Sequence, residues 1–313
     1  MAFNVLSLFD GMSCGQIALE RAGIQYDNYF ASEIDKYAIK VTQANYPNTI
    51  QIGDVCKVKG SDLPKIDLLI GGSPCQGFSF SGKQLNFEDP RSALFFEFVR
   101  LLKECKPRYF LLENVRMKSK YLNIISSYLD VNPIIINSAL VSAQNRVRYY
   151  WTNIPNVSQP KDKGILLKDV LEDGFVDKGK SYCIDANYGK GGNPKRYFLR
   201  SSRQLVFSKE GLCHIGDAES SNSGGSAGAG SALVTEDVAI WRKLTPLECE
   251  RLQTVPDGYT RHVSDSQRYK MIGNGWTVDV ITHIFKGLGT KPSPKVDKPQ
   301  SLIPWHEIQT DIE

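Results

Sequence analysis

A chain of 313 residues can bury a sizeable core, and one large unit with a smaller companion is its natural division. With 41% hydrophobic residues, 23% charged residues and a net charge of +4, it reads as an ordinary globular protein whose mild basicity permits a nucleic-acid partner without demanding one. No apolar run approaches a membrane span and Met1-Ala2-Phe3-Asn4 lacks the basic start of a secretory signal, so no membrane partner and a cytoplasmic location are expected.

From the start to about Ile154, short apolar runs alternate with helical periodicity, the signature of a doubly wound, mostly parallel α/β sheet. The first predicted strand, 5–9, runs into Phe9-Asp10-Gly11-Met12-Ser13-Cys14-Gly15, a small-residue turn that lets backbone approach a ligand, with a helix over 16–21 stopping at Gly23. Strands at 29–32 and 50–53 end at Glu33 and Asp54. An acid after the second strand suits ribose hydroxyls, and one after the third can accept from an adenine amino group. The spacing is not G-x-G-x-x-G, which disfavours NAD and FAD. An ordinary βα turn is the plainer alternative.

A fourth strand, 68–70, leads through Gly71-Gly72-Ser73-Pro74 to Cys75 and then into a Gly/Ser-containing segment, 76–88, that can act as a lid. A thiol at the carboxyl end of a buried parallel strand is a nucleophile candidate. The other six cysteines are scattered and never spaced C-x-x-C, and the four histidines show no ligand spacing, so neither a disulfide framework nor a metal site is expected. Asp89 and Pro90 open a helix whose Leu94, Phe95, Phe98, Leu101 and Leu102 fall on one face. Strand 109–112 ends at Glu113-Asn114-Val115, a carboxyl that can serve as a proton donor if this strand neighbours that of Cys75. After strand 134–136, Gln144-Asn145-Arg146-Val147-Arg148 enters the strand 149–152 with both guanidiniums on one face, able to hold a carbonyl oxygen or phosphate. Two solvated arginines are the commoner fate of such a pair.

Beyond Pro155 the pattern loosens. Lys190, Lys195, Arg196, Tyr197, Arg200 and Arg203 are candidates for phosphate and base contacts, or form a solvated basic surface. Residues 219–232 are a low-complexity Gly/Ser/Ala linker, spliced or natural. A helix over 246–253, a segment over 273–285 and an extended tail follow. The expected division is 1–154 plus 266–288 as the main unit, 155–265 as a small irregular region, and 289–313 as the tail.

In order, Phe9-Asp10-Gly11, Gly72-Ser73-Pro74-Cys75-Gln76-Gly77-Phe78-Ser79, Glu113-Asn114-Val115, Gln144-Asn145-Arg146-Val147-Arg148, Arg242-Lys243-Leu244-Thr245-Pro246-Leu247-Glu248-Cys249 and Gly273-Asn274-Gly275-Trp276-Thr277 resemble the motif series of DNA cytosine-5 methyltransferases of the bacterial and phage type. The resemblance covers residues 1 to about 155 and about 241 to 288. It implies an S-adenosyl-L-methionine-dependent methyltransferase fold, double-stranded DNA as substrate, and a monomeric enzyme acting at the nucleoid.

It also implies that Cys75 adds to cytosine C6, Glu113 engages N3 and the exocyclic amine, Arg148 engages O2, and Arg146 supports the loop. Phe9, Gly11, Met12, Glu33, Asp54, Val55, Pro74, Asn274 and Trp276 would line the S-adenosyl-L-methionine pocket, with Asp10, Ser13 and Ile34 beside them. Trp276 stands where many relatives carry a smaller aliphatic residue. A non-catalytic binding relative, the RNA-methylating branch, and a redox or metal role for Cys75 are the competing readings.

Overall fold

The computed structural model describes residues 3–74, 90–192, 194–200, 203–208 and 241–289, apart from the side chains of 90–92, 195, 196 and 200. Cys75 and the expected lid, the linker 219–232 and the tail from 290 lie outside the described residues.

Seven strands form one sheet in the order β3-β2-β1-β4-β5-β7-β6: β1 Asn4–Leu8, β2 Asn28–Ser32, β3 Ile50–Gln51, β4 Leu68–Gly71, β5 Tyr109–Val115, β6 Ile134–Asn137 and β7 Val147–Thr152. All neighbours among β1 to β5 are parallel, whereas β7 runs antiparallel to both β5 and β6. The reason is local. The connection from β6 to β7 is too short for the crossover that a parallel return requires, so the chain folds straight back.

Helices cover both faces, and the strand sequences show it. In β1 and β4 every residue is buried. Val5, Leu68, Ile70 and Leu111 enter one hydrophobic cluster, while Leu6, Leu8, Leu69 and Leu112 enter a second, the period of two that a pleated strand imposes. Helix α1 (Cys14–Ala22) ends at Gly23, whose φ of 71° is the left-handed stop that glycine accepts without strain. Helix α2 (Lys36–Asn45) adds Val41 to the first cluster, while α3 (Pro90–Cys105) and α4 (Ser119–Leu129) pack on the second, where α3 buries Phe95, Phe98 and Leu101 completely.

Among its described residues, the segment 155–265 is mostly irregular, with a short helix α5 (Pro194–Arg200) and a two-stranded sheet of β8 (Leu205–Phe207) and β9 (Trp241–Lys243). Its Leu167, Val170, Ile184 and Tyr188 belong to the same hydrophobic cluster as Val5 and Leu68. Helix α6 (Pro246–Leu252) starts at a reciprocal cap between Thr245 and Glu248 with Pro246 at its first position.

Three local expectations change. β3 stops at Gln51, and Asp54 instead caps a 3-10 turn by accepting from the Cys56 N–H at 3.0 Å. β5 continues past Glu113 to Val115, because pairing with β7 extends the ladder. The segment 273–285 is broken: α7 (Asp265–Asn274) closes at Gly275, and α8 (Val278–Phe285) starts after Thr277.

Candidate active site

The chain runs from β1 to β2 and β3 on one side, then returns to place β4 on the other side of β1. Such a reversal opens a crevice at the carboxyl ends of the two strands. The turn after β1 is tightly wound: Phe9, Gly11 and Ser13 have φ of 57°, 60° and 63°. For a phenylalanine that conformation is costly, on the order of 1 kcal/mol. Here it sets Phe9 in the crevice wall.

Glu33 holds the turn. Its carboxylate accepts from Gly11 N at 2.8 Å, Ile34 N at 2.7 Å and Asp35 N at 2.8 Å. A carboxylate offers about four lone-pair sites, so one remains for a ligand hydroxyl. The Tyr29 hydroxyl donates to Asp10 Oδ1 at 2.8 Å, and burial pushes the Asp10 carboxyl up to about 6.

The crevice is a cavity of about 430 Å³, within the range of small-molecule sites. The structure brings to it Phe9, Asp10, Gly11, Met12, Glu33 and Ile34 from the β1 and β2 ends. Asp54, Val55, Pro74, Asn274 and Trp276 complete the expected cofactor set. Ser13 does not join them. It is fully buried behind the turn, where its hydroxyl accepts from Gln16 Nε2.

This donor set fits an adenosyl group. There is open space at Gly11 for a close backbone approach, an aromatic wall, Glu33 with a free acceptor position, and Asp54 near the 3-10 turn. At the rim, Lys270 Nζ reaches Asp35 Oδ2 at 2.7 Å, joining α7 to the cap of α2.

Glu113 and Arg148 lie in the same cavity. Register explains why they meet: Arg148 pairs with Val115, two residues beyond Glu113 and therefore on the same face. Arg148 Nε stands 3.0 Å from Glu113 Oε1. Burial opposes the guanidinium charge, but Glu113 and then Cys183 outweigh it and hold Arg148 above its ordinary value. Asn114 donates from Nδ2 to Ser73 Oγ at 3.2 Å, which pins the end of β5 to the segment that leads to Cys75. Gly72 lies between the two halves of the site. A Cβ there would come 2.9 Å from Trp276 Nε1 and 3.1 Å from Glu113 Oε2.

Arg146 also lines the cavity but is almost wholly buried, and its guanidinium is held chiefly by backbone carbonyls. Nη1 donates to Ile184 O at 3.0 Å and Nη2 to Gly275 O at 2.9 Å. It fastens the break between α7 and α8, where Asn274 and Trp276 stand, to the start of β7. Neither arginine is the solvated surface residue of the plainer reading.

The pattern of the sequence did not single out Cys183 or the anchoring bond of Asn114. Cys183 follows an irregular run with no motif, and only the fold brings it to Arg146 and Arg148. Tyr197, a candidate base contact, is buried with Leu205 and Phe207, and its hydroxyl donates to Asp177. Among the described residues, no group of three His, Cys, Asp or Glu is placed to hold a metal ion. Among them, too, no helix is long and apolar enough to cross a membrane.

Comparison with known proteins agrees with this geometry. The chain is 32% identical over 304 residues to the type II methyltransferase M.NlaX of Neisseria lactamica, covering 90% of this chain and 95% of that protein. It is 30% identical over 323 residues to M.HhaI of Haemophilus parahaemolyticus, covering 91% and 94%. A prophage-encoded candidate DNA modification methyltransferase of E. coli superposes with a TM-score of 0.61 at 25% identity, covering 92% of this chain and 98% of the other. The description of C-5 cytosine-specific DNA methylases matches residues 3–290. The chain therefore belongs to the C-5 cytosine-specific DNA methylase family and is a DNA cytosine-5 methyltransferase.

Proposed function

We propose that Cys75, which directly follows the cavity residue Pro74, adds to C6 of a cytosine held by Glu113 and Arg148. The methyl donor is S-adenosyl-L-methionine, bound between the β1 turn, Glu33, Asp54 and Trp276. The observation that carries this reading is the Glu113–Arg148 pair facing the same cavity as the β1 turn and Pro74.

Cytosine C5 is too weak a nucleophile to be alkylated unaided. A thiolate bonding to C6 pushes the C5–C6 electron pair into the ring and makes C5 enamine-like. A free thiol with a pKa near 8.5 is only a few per cent ionised at neutral pH, a cost of roughly 2 kcal/mol. Charge then develops on N3 and O2. Glu113, once it has taken a proton from solvent, offsets it by donating to N3, and Arg148 by donating to O2. When bound, S-adenosyl-L-methionine supplies an electrophilic methyl group on a sulfonium. Cys75 departs from C6 as the C5 proton is lost, so the thiolate is returned unchanged.

The base cannot be reached inside a stacked duplex, so it must be flipped out, at a cost of a few kcal/mol. Phosphate contacts from the basic segment around Lys190 help to offset that cost. The working form is read as a monomer on double-stranded DNA, in the cytoplasm at the nucleoid. The test is a duplex carrying 5-fluorocytosine, which blocks the last step. Wild type with S-adenosyl-L-methionine is expected to become covalently trapped, and Cys75→Ser is not. Methyl label on cytosine N4 or on adenine overturns the reading.

A further inference from the structure

The two site arginines converge on one sulfur. Arg146 Nη1 lies 3.3 Å from Cys183 Sγ, and Arg148 Nη2 lies 3.7 Å from it. A guanidinium carries only donors, so the sulfur is the acceptor in both contacts. The two arginines are fixed very differently. Arg146 is locked by the carbonyls of Ile184 and Gly275. Arg148 has the Val147 carbonyl at 2.9 Å, and its remaining contacts are with two ionisable groups, Glu113 and Cys183. Once Glu113 turns to the cytosine, Cys183 is, among the described residues, the side-chain acceptor left to set the Arg148 fork beside its Val147 carbonyl contact.

We propose that Cys183 is a positioning residue for the cytosine site: its sulfur, anchored on the immobile Arg146, holds the Arg148 guanidinium at the angle from which it meets the base. The sulfur's surroundings agree. Burial opposes its ionisation, but Arg146 and then Arg148 outweigh it and lower the thiol below its usual range. Burial instead raises Cys14, Cys56, Cys105 and Cys249. Cys14 is pushed up to about 12 and is packed in the core. Cys183 as a residue reaches the surface, while its sulfur is tucked against the two arginines that line the cavity; the inference rests on the proposed cytosine reading. No bond to Cys183 forms or breaks in the reaction, so the residue acts through Arg148 alone.

The test compares Cys183→Ala, Cys183→Ser and Cys183→Asp in the full chain. Cys183→Ala is expected to lower kcat about tenfold while the KM for DNA and for S-adenosyl-L-methionine stays within about threefold. Cys183→Asp, an anion that can accept from both guanidiniums, is expected to recover most of that loss, with Cys183→Ser in between. A kcat for Cys183→Ala within twofold of wild type overturns the proposal, as does a Cys183→Asp no better than Cys183→Ala.

A second measurement needs no turnover. In Cys75→Ser protein, iodoacetamide labelling of Cys183, read by peptide mass spectrometry, is expected to slow several-fold when Arg148 or Arg146 becomes Ala. Labelling indifferent to both changes removes the sulfur–guanidinium contact and the proposal with it. If wild type fails to methylate cytosine while labelling still responds, the cytosine reading falls and the contact stands.

Discussion

Arg148 and Glu113 form an ion pair across antiparallel strands, Nε to Oε1 at 3.0 Å, because Arg148 pairs with the residue two places beyond Glu113. Removing the Glu113 carboxylate leaves the Arg148 guanidinium charged and largely buried. Glu113→Gln is expected to lower kcat for methyl transfer by roughly 10²–10⁴, the usual worth of a positioned proton donor. Arg148→Lys keeps the charge but loses the planar fork, and should also lose activity. Radiolabelled transfer to DNA measures both, and a Glu113→Gln enzyme within about tenfold of wild type contradicts the role.

Arg146 should show a different phenotype. Arg146→Ala leaves the carbonyls of Ile184 and Gly275 without their donor, at an expected cost of about 2–4 kcal/mol in urea unfolding. Because the same clamp holds the chain around Trp276, the KM for S-adenosyl-L-methionine should rise as well.

Gly72 leaves no room for a methyl group. Gly72→Ala is expected to reduce kcat about tenfold by forcing Trp276 and Glu113 apart, since small misplacements at a reacting centre are expensive. Trp276→Val in the same chain vacates one of the two obstacles and should restore part of the rate. Steady-state kinetics on the single and double variants checks this, and an unchanged double variant removes the explanation.

Asp10 predicts a pH dependence of opposite sign to the usual surface carboxylate. Its carboxyl titrates near 3.8 in the unfolded chain and is pushed up to about 6 in the folded protein. Between those values the folded state holds a proton that the unfolded state has lost, so stability falls as pH rises from about 4 to about 6. Above that window the deficit is constant. Asp10→Asn can still accept from the Tyr29 hydroxyl, and it should flatten the slope and add roughly 1–3 kcal/mol at pH 7 to 8. Urea titrations at pH 5 and pH 7.5 test the sign directly.

The sheet was legible because strands buried on both faces must be apolar runs, and 68–70 or 109–112 cannot be much else. The cavity followed from placing polar and glycine residues at the ends of those runs. Finer assignments failed where a side chain could serve the backbone instead of a ligand. Ser13 in the β1 turn and Asp54 at the end of the third strand were both expected at the pocket, yet Ser13 turned inward to Gln16, while Asp54 capped a turn and kept a place in the cavity. Tyr197 looked like a base-stacking aromatic and is a small core instead. Cys183 was invisible because its partners lie more than thirty residues earlier, and only the packing of an irregular segment against β7 unites them.

The shared core has a practical consequence for exchanging the segment after residue 155 between relatives. A graft cut at residue 155 would take Leu167, Val170, Ile184 and Tyr188 away from neighbours such as Ile154, Leu252 and Ile272, and leave a hole beneath the sheet. Gly273 adds a second constraint, since even a methyl group there would come 2.2 Å from the Asp185 carbonyl carbon. Donor segments that keep these hydrophobic positions and begin after Tyr188 should yield folded hybrids, while wholesale replacement from 155 should yield aggregates.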